Sequence, residues 1–134
     1  MTRYLLDTNV VSDLVRHPSG RVAAHINRVG EANVCTSLIV AAELHFGAAK
    51  KGSAALTARI DAVLGALQVL PLEAPTDRNY GYIRAGLERA GKVIGANDLL
   101  IAAHAMTLGH TLVTDSIDEF SGIGKLRLEN WLRV

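Results

Sequence analysis

Tyr4-Leu5-Leu6-Asp7-Thr8-Asn9-Val10-Val11-Ser12-Asp13-Leu14-Val15 changes its structural period at Asp7, and that change decides how the chain folds. Tyr4-Leu5-Leu6 is a short apolar run of strand type that stops on a carboxylate. Asp7-Thr8-Asn9 then offers helix caps, and residues 10–15 read as a first helix. A strand that runs through a polar turn directly into a helix is the opening of an α/β unit.

The same grammar recurs downstream. After Pro18-Ser19-Gly20, residues 22–29 read as a second helix closed by Gly30. Asn33-Val34-Cys35-Thr36 is a brief strand, and Ser37 caps a helix over 38–50. Ser53 opens a helix running to about 67, with Leu56, Ile60, Val63, Leu64 and Leu67 on one face. A third strand falls at 69–72 and a helix at 76–90. Residues 98–106 are apolar nearly all round and predict a central buried helix, stopped by Gly109. Thr111-Leu112-Val113-Thr114 is a fourth strand ending on Asp115, and 126–128 is a candidate fifth. Short strands alternating with helices predict a three-layer α/β/α fold with a short, mostly parallel central sheet.

Composition agrees with one such unit. The 134 residues are 49% hydrophobic and 20% charged, with a net charge of +1, which suits a single packed domain and excludes disorder. Three Pro and no low-complexity tract exclude a linker-rich chain. The lone Cys35 cannot pair internally or build a thiolate zinc site, and reads as a small core residue of a reducing compartment. Asp7 interrupts the N-terminal segment too early for a signal peptide, while Glu43 and Asp98 break the two most apolar stretches. The expectation is one cytoplasmic domain over 1–134.

Four acids fall where the fold does not ask for them. Asp7 and Asp115 end strand signals, the place where open parallel sheets bind ligands. Glu43 lies on the apolar stripe of Ile39 and Phe46, and Asp98 opens the most hydrophobic helix. Capping accounts for Asp7 alone, the helix dipole for Asp98 alone, a solvated edge or an arginine for Glu43, and turn chemistry for Asp115, Asp118 and Glu119. A single cause covers them all. Converging carboxylates repel one another unless a hard divalent cation offsets their charge, and Mg²⁺ or Mn²⁺ suits all-oxygen ligands. Such an ion activates water and steadies charge on phosphoryl oxygens, which is phosphodiester hydrolysis. His45 and His104 share helices with acids, but their spacing from Glu43 and Asp98 turns them elsewhere.

Four motifs in order carry a family likeness: Leu5-Leu6-Asp7-Thr8-Asn9, Glu43-Leu44-His45-Phe46-Gly47-Ala48, Ile94-Gly95-Ala96-Asn97-Asp98 with its apolar continuation, and Leu112-Val113-Thr114-Asp115-Ser116-Ile117-Asp118-Glu119-Phe120 followed by Leu126 to Trp131. The chain resembles the PIN-domain ribonucleases, and within them the VapC toxins of prokaryotic VapBC toxin–antitoxin modules, over essentially its whole length. The resemblance implies a single PIN domain and a Mg²⁺-dependent endoribonuclease. Asp7 and Asp98 would be direct metal ligands, with Glu43 completing the acidic triad. The fourth acid stays open. Relatives often read T-N-N-x-x-E-F, so the offset from Phe120 favours Glu119, while the strand end beside Thr114 ranks Asp115 slightly ahead. Thr8, Asn9 and Thr114 are expected to orient carboxylates and waters, or to serve as caps and turn formers.

With Asp7, Glu43, Asp98, Asp115 and Glu119 set apart at one site, eight of the 13 acids remain against 14 Lys and Arg. Arg16, Arg21, Arg28, Lys50 and Lys51 are candidate phosphate contacts, or simply a solvated face. Six aromatic residues in all do not support extensive base stacking, so RNA shape is the expected determinant, and the resemblance suggests a tRNA stem-loop. It further implies a homodimer inhibited by a cognate VapB antitoxin lying across the active-site groove. Apolar faces at Val10, Val11, Leu14 and at Leu56, Ile60, Val63 serve either the core or those interfaces. Two other readings stand beside this one: a catalytically silent PIN-like module that binds RNA or antitoxin, and a phosphoacceptor or phosphatase. The last lacks both a D-x-D arrangement and a Gly-rich phosphate loop.

Overall fold

The computed structural model describes residues 1–133. Its elements follow one another as β1 (Tyr4–Leu6), α1 (Thr8–Arg16), α2 (Arg21–Val29), β2 (Val34–Ser37), α3 (Leu38–Lys51), α4 (Ala54–Ala66), β3 (Gln68–Leu70), α5 (Thr76–Arg89), α6 (Ala96–Leu108), β4 (Thr111–Val113), α7 (Ile117–Phe120) and β5 (Leu128–Glu129), with a 3-10 turn at Glu31–Asn33. The five strands form one sheet in the order β3-β2-β1-β4-β5, every pairing parallel. The α/β expectation therefore holds, with the sheet wholly parallel.

Burial explains the strands' composition. All four residues of β2 and all three of β4 are buried, so side chains on both faces of the sheet meet protein. Leu5 and Leu6 of the central strand are fully buried, as are Leu112 and Val113 beside them. The helix that carries Asp98 in its first turn is the central one: Leu99, Ile101, Ala102, Ala103, His104 and Ala105 are all interior. Its end is set by Gly109, whose φ of 68° is the left-handed conformation that favours glycine.

Several boundaries differ from the sequence expectation. The central helix begins at Ala96, because Gly95 is its cap and offers no side chain to announce it. The third strand is Gln68–Leu70, one residue early, and the fifth is Leu128–Glu129. The short helix α7 was unforeseen, since four residues are too few to display a helical period.

Topology fixes where a site can form. From β1 the chain steps outward to β2 and β3 on one side, then returns to lay β4 and β5 on the other. Strand order reverses between β1 and β4, and the crevice beyond their carboxyl ends is the place where such sheets hold ligands. Asp7 and Thr114 are the residues that follow those two ends.

Candidate active site

Asp7 is tied to both central strands. Its backbone N–H donates to the Val113 carbonyl at 2.9 Å. Its Oδ1 accepts the Thr8 N–H at 2.8 Å, capping α1, and its Oδ2 accepts the Thr114 hydroxyl at 2.7 Å. The residue is 4% exposed. Burial pushes its carboxyl above the ordinary range; the Thr114 and Thr8 hydrogen bonds oppose that rise, and the charges of Asp98 and Glu43 add to it.

Glu43 reaches the same crevice from α3. Its neighbours Ala41 and Leu44 are core residues, which holds the helix against the sheet, and its Oε1 accepts the Thr8 hydroxyl at 2.6 Å. Thr8 therefore bridges two acids, its amide to Asp7 and its hydroxyl to Glu43. Asp98 sits in the first turn of α6 and is pushed up to about 6, first by burial, then by a hydrogen bond to Glu119 and the charges of Glu119 and Glu43. Glu119 arrives from α7.

Asp98 thus links the group: Asp7 feels Asp98 and Glu43, and Asp98 feels Glu43 and Glu119, the four acids arriving from four elements. Among the described residues the ion pairs are Arg84–Glu88 and Arg133–Asp115, and neither includes a member of this group. The donors offered are oxygen only. Among the described residues no three His, Cys, Asp or Glu side chains close around one point. A hard divalent cation fits this arrangement, taking one or two carboxylates directly and water in the rest of its shell, whereas a soft metal finds no thiolate or imidazole. That fit also accounts for the raised carboxyls of Asp7 and Asp98, whose charge a bound cation would offset.

The strand-end argument that placed Asp115 ahead of Glu119 is reversed by the geometry. Asp115 turns away from Asp7: its Oδ1 accepts from Arg133 Nε and Asn130 Nδ2, both at 3.0 Å, and its Oδ2 accepts from Arg133 Nη2 at 3.3 Å. Those partners, Arg133 first, hold its carboxyl below the usual range. It lines a surface cavity of about 420 Å³ with Asp13, His17, Arg21, Leu132 and Arg133. A helical turn intervenes after Asp115, and that turn is what carries Glu119 to Asp98.

The other candidates divide as follows. Thr8 and Thr114 touch the acids directly, whereas Asn9 faces Ser116 Oγ at 3.5 Å and the Asp115 amide at 3.4 Å. His104, 1% exposed, meets Ser37 Oγ at 2.8 Å through Nδ1, and burial lowers its pKa; it is a core group bonded away from the acids. His45 is exposed. Arg16, Arg21, Arg28, Lys50 and Lys51 are exposed; Arg16 bonds Ser12 Oγ at 3.0 Å and Arg28 meets His25 at 2.6 Å. Sequence reasoning missed Ser116, Asn130 and Arg133. Asn130 and Arg133 act only once the tail has returned beside β4, which leaves no local signal, and Ser116 acts through its backbone N–H, which its side chain does not announce.

Comparison with known proteins agrees with this architecture. The PIN domain family matches residues 4–125. The chain is 35% identical over 133 residues to Ribonuclease VapC2 of Haemophilus influenzae, covering 98% of this chain and 100% of that one. It is 32% identical over 132 residues to the tRNA(fMet)-specific endonuclease VapC of Shigella flexneri, at 98% and 99% coverage. Among solved structures, VapBC2 from Rickettsia felis bound to a DNA fragment from their promoter superposes with a TM-score of 0.90 at 35% identity, over 97% of this chain and 99% of that one.

Proposed function

The chain belongs to the PIN-domain family, and from that premise we propose that it is a VapC-type endoribonuclease toxin, a single PIN domain over 1–134 that hydrolyses RNA with a bound Mg²⁺, or Mn²⁺ in its place. One observation carries the reading: Asp7, Glu43, Asp98 and Glu119 form a chain of neighbouring acids beyond the ends of β1 and β4, joined through Thr8 and through Asp98, and none is ion-paired among the described residues.

When bound, the metal supplies an activated water and steadies charge on the phosphoryl oxygens. The protein's own groups do the rest. Asp7 and Asp98 hold the ion. Thr114 and Thr8 fix the two oxygens of Asp7, so the carboxylate cannot rotate away as substrate enters. Thr8 also orients Glu43. Glu119 shares a hydrogen bond with Asp98 and is the acid best placed to complete the set. The exposed cations Arg16, Arg21, Lys50 and Lys51 contact RNA phosphates, which supplies affinity with little base discrimination. A structured RNA such as a tRNA stem-loop is the substrate class, in keeping with the relative whose name specifies a tRNA.

The partner is a VapB-type antitoxin. A groove of about 450 Å³ between α1, α2 and α4, lined by Leu14, Val15, Ile26, Val63 and Leu67 with Arg59, is apolar enough to take its helix. An arginine from such a segment satisfies the acids in place of the metal. Leu38, Phe46 and Tyr82 are large exposed hydrophobic side chains suited to self-association as a homodimer. No helix among the described residues is long and apolar enough to cross a membrane. The compartment proposed, the cytoplasm, is where the RNA substrate and the antitoxin are made.

The test is end-mapping of RNA treated with wild type, Asp7→Asn or Asp98→Asn, in Mg²⁺, in Mn²⁺ or in EDTA. Discrete products that need a divalent ion and vanish in both variants support the reading. Cleavage by Asp98→Asn at the wild-type rate overturns the ligand assignment. Absence of product with any ion favours the catalytically silent module.

A further inference from the structure

We propose that Asp115, clasped by Asn130 and Arg133 of the C-terminal tail, is a positioning residue for Asp7, an inference that rests on the metal-site reading above. The connection runs through hydrogen bonds. The Thr114 hydroxyl has one proton, given to Asp7 Oδ2 at 2.7 Å, and it accepts the Ser116 N–H at 3.0 Å. The arriving N–H occupies an oxygen lone pair and leaves the proton facing Asp7. The direction of that N–H is set by the peptide joining Asp115 to Ser116. Asp115 in turn is held at both ends, its amide on Asn9 Oδ1 at 3.4 Å and its carboxylate in the fork of Arg133 Nε and Nη2 with Asn130 beside it.

The tail that supplies the clasp is itself anchored. Trp131, 1% exposed, stacks on His25 with ring centroids 5.0 Å apart and packs on Tyr4 at 5.2 Å. Its indole N–H donates to Glu129 Oε1 at 3.0 Å, and the Leu132 amide holds Asn130 Oδ1 at 2.9 Å. The Thr114 amide donates to the Glu129 carbonyl at 2.9 Å, so β5 and the clasp grip the same turn from two sides. With both carboxylate oxygens engaged by tail donors, Asp115 serves the metal through Thr114 and not by touching it.

The full chain is titrated with Mn²⁺ by calorimetry, and amide hydrogen exchange at Ser116 is followed without metal. Arg133→Gln and Asp115→Asn should each weaken Mn²⁺ binding about 3-fold or more, short of the roughly 10- to 100-fold expected on losing a group bonded directly to a ligand. Combining them should add less than about 2-fold, because they share one path. Arg133→Lys should recover part of the loss, since one ammonium cannot fill the fork. Ser116 exchange should quicken in Arg133→Gln while its melting temperature stays near wild type, because an exposed pair adds little stability. Unchanged Mn²⁺ affinity and unchanged Ser116 exchange in both variants overturn the proposal, as does tighter binding in Arg133→Gln, the mark of Asp115 freed to act as a ligand. A wild type that takes up no Mn²⁺ refutes the metal reading instead, and Ser116 exchange then decides the clasp by itself.

Discussion

Replacing Asp98 with Asn should make the metal-free protein more stable while destroying its activity. The carboxyl is raised from 3.8 to about 6 by burial and by Glu119 and Glu43. Two units at about 1.4 kcal/mol each set a ceiling near 3 kcal/mol for the cost of keeping it ionised. The side chain is only partly buried, and solvent screening reduces that to about 1–1.5 kcal/mol. Against this, the variant loses a favourable charge in the first turn of α6, worth about 0.3–1 kcal/mol. The net gain lies between about 0 and 1.2 kcal/mol at pH 7.5, or up to about 4 °C for a domain of this size. Because the folded-state pKa is the higher one, the wild type holds its full stability below about pH 4 and loses it as pH climbs through about 6. The variant has no such loss, so its advantage should vanish at pH 4. Urea unfolding in EDTA at both pH values reads this directly. Millimolar Mg²⁺ should then raise wild-type stability and leave Asp98→Asn where it was. A variant that is less stable than wild type at pH 7.5 in EDTA refutes the electrostatic reasoning.

Thr114→Val keeps the shape of a fully buried side chain and deletes the hydroxyl on Asp7, so Mn²⁺ affinity measured by calorimetry should fall about 10- to 100-fold. Gly20→Ala would set a Cβ 2.9 Å from His17 Cβ and 3.2 Å from its carbonyl oxygen, so the turn into α2 must shift; the expected cost is about 1–3 kcal/mol by chemical denaturation, with RNA cleavage retained in the surviving fold. Trp131→Ala empties the packing between Tyr4 and His25 and should cost about 3–5 kcal/mol, read as a lowered urea midpoint with an unchanged slope.

The residues that could be found from sequence are those whose type contradicts their local setting. Asp7 was visible because a strand ended on it, and Asp98 because a carboxylate stands in the first turn of a helix whose following residues are nearly all buried. Glu43 stood out on the stripe of Ile39 and Phe46, but that stripe is not the core face of α3: Phe46 is exposed, and Val40, Ala41, Leu44 and Ala48 are the buried residues. The choice between Asp115 and Glu119 was not legible, because it turns on α7, whose four residues show no period. Nor were Asn130 and Arg133, which act on Asp115 only after the tail has come back along β4. Patterning reports which face a residue occupies; it does not report which distant oxygen that residue will meet.

The strand order has a consequence for the timing of synthesis. β1 leaves the ribosome first, yet one of its two neighbours in the sheet, β4, is among the last segments to emerge. The crevice therefore closes only when nearly the entire polypeptide is out, since contacts so distant along the chain form late. Until then a growing chain lacks the β4 side of the crevice and the helix that carries Glu119. Both walls of the crevice are available together only after the translating ribosome has almost finished its work.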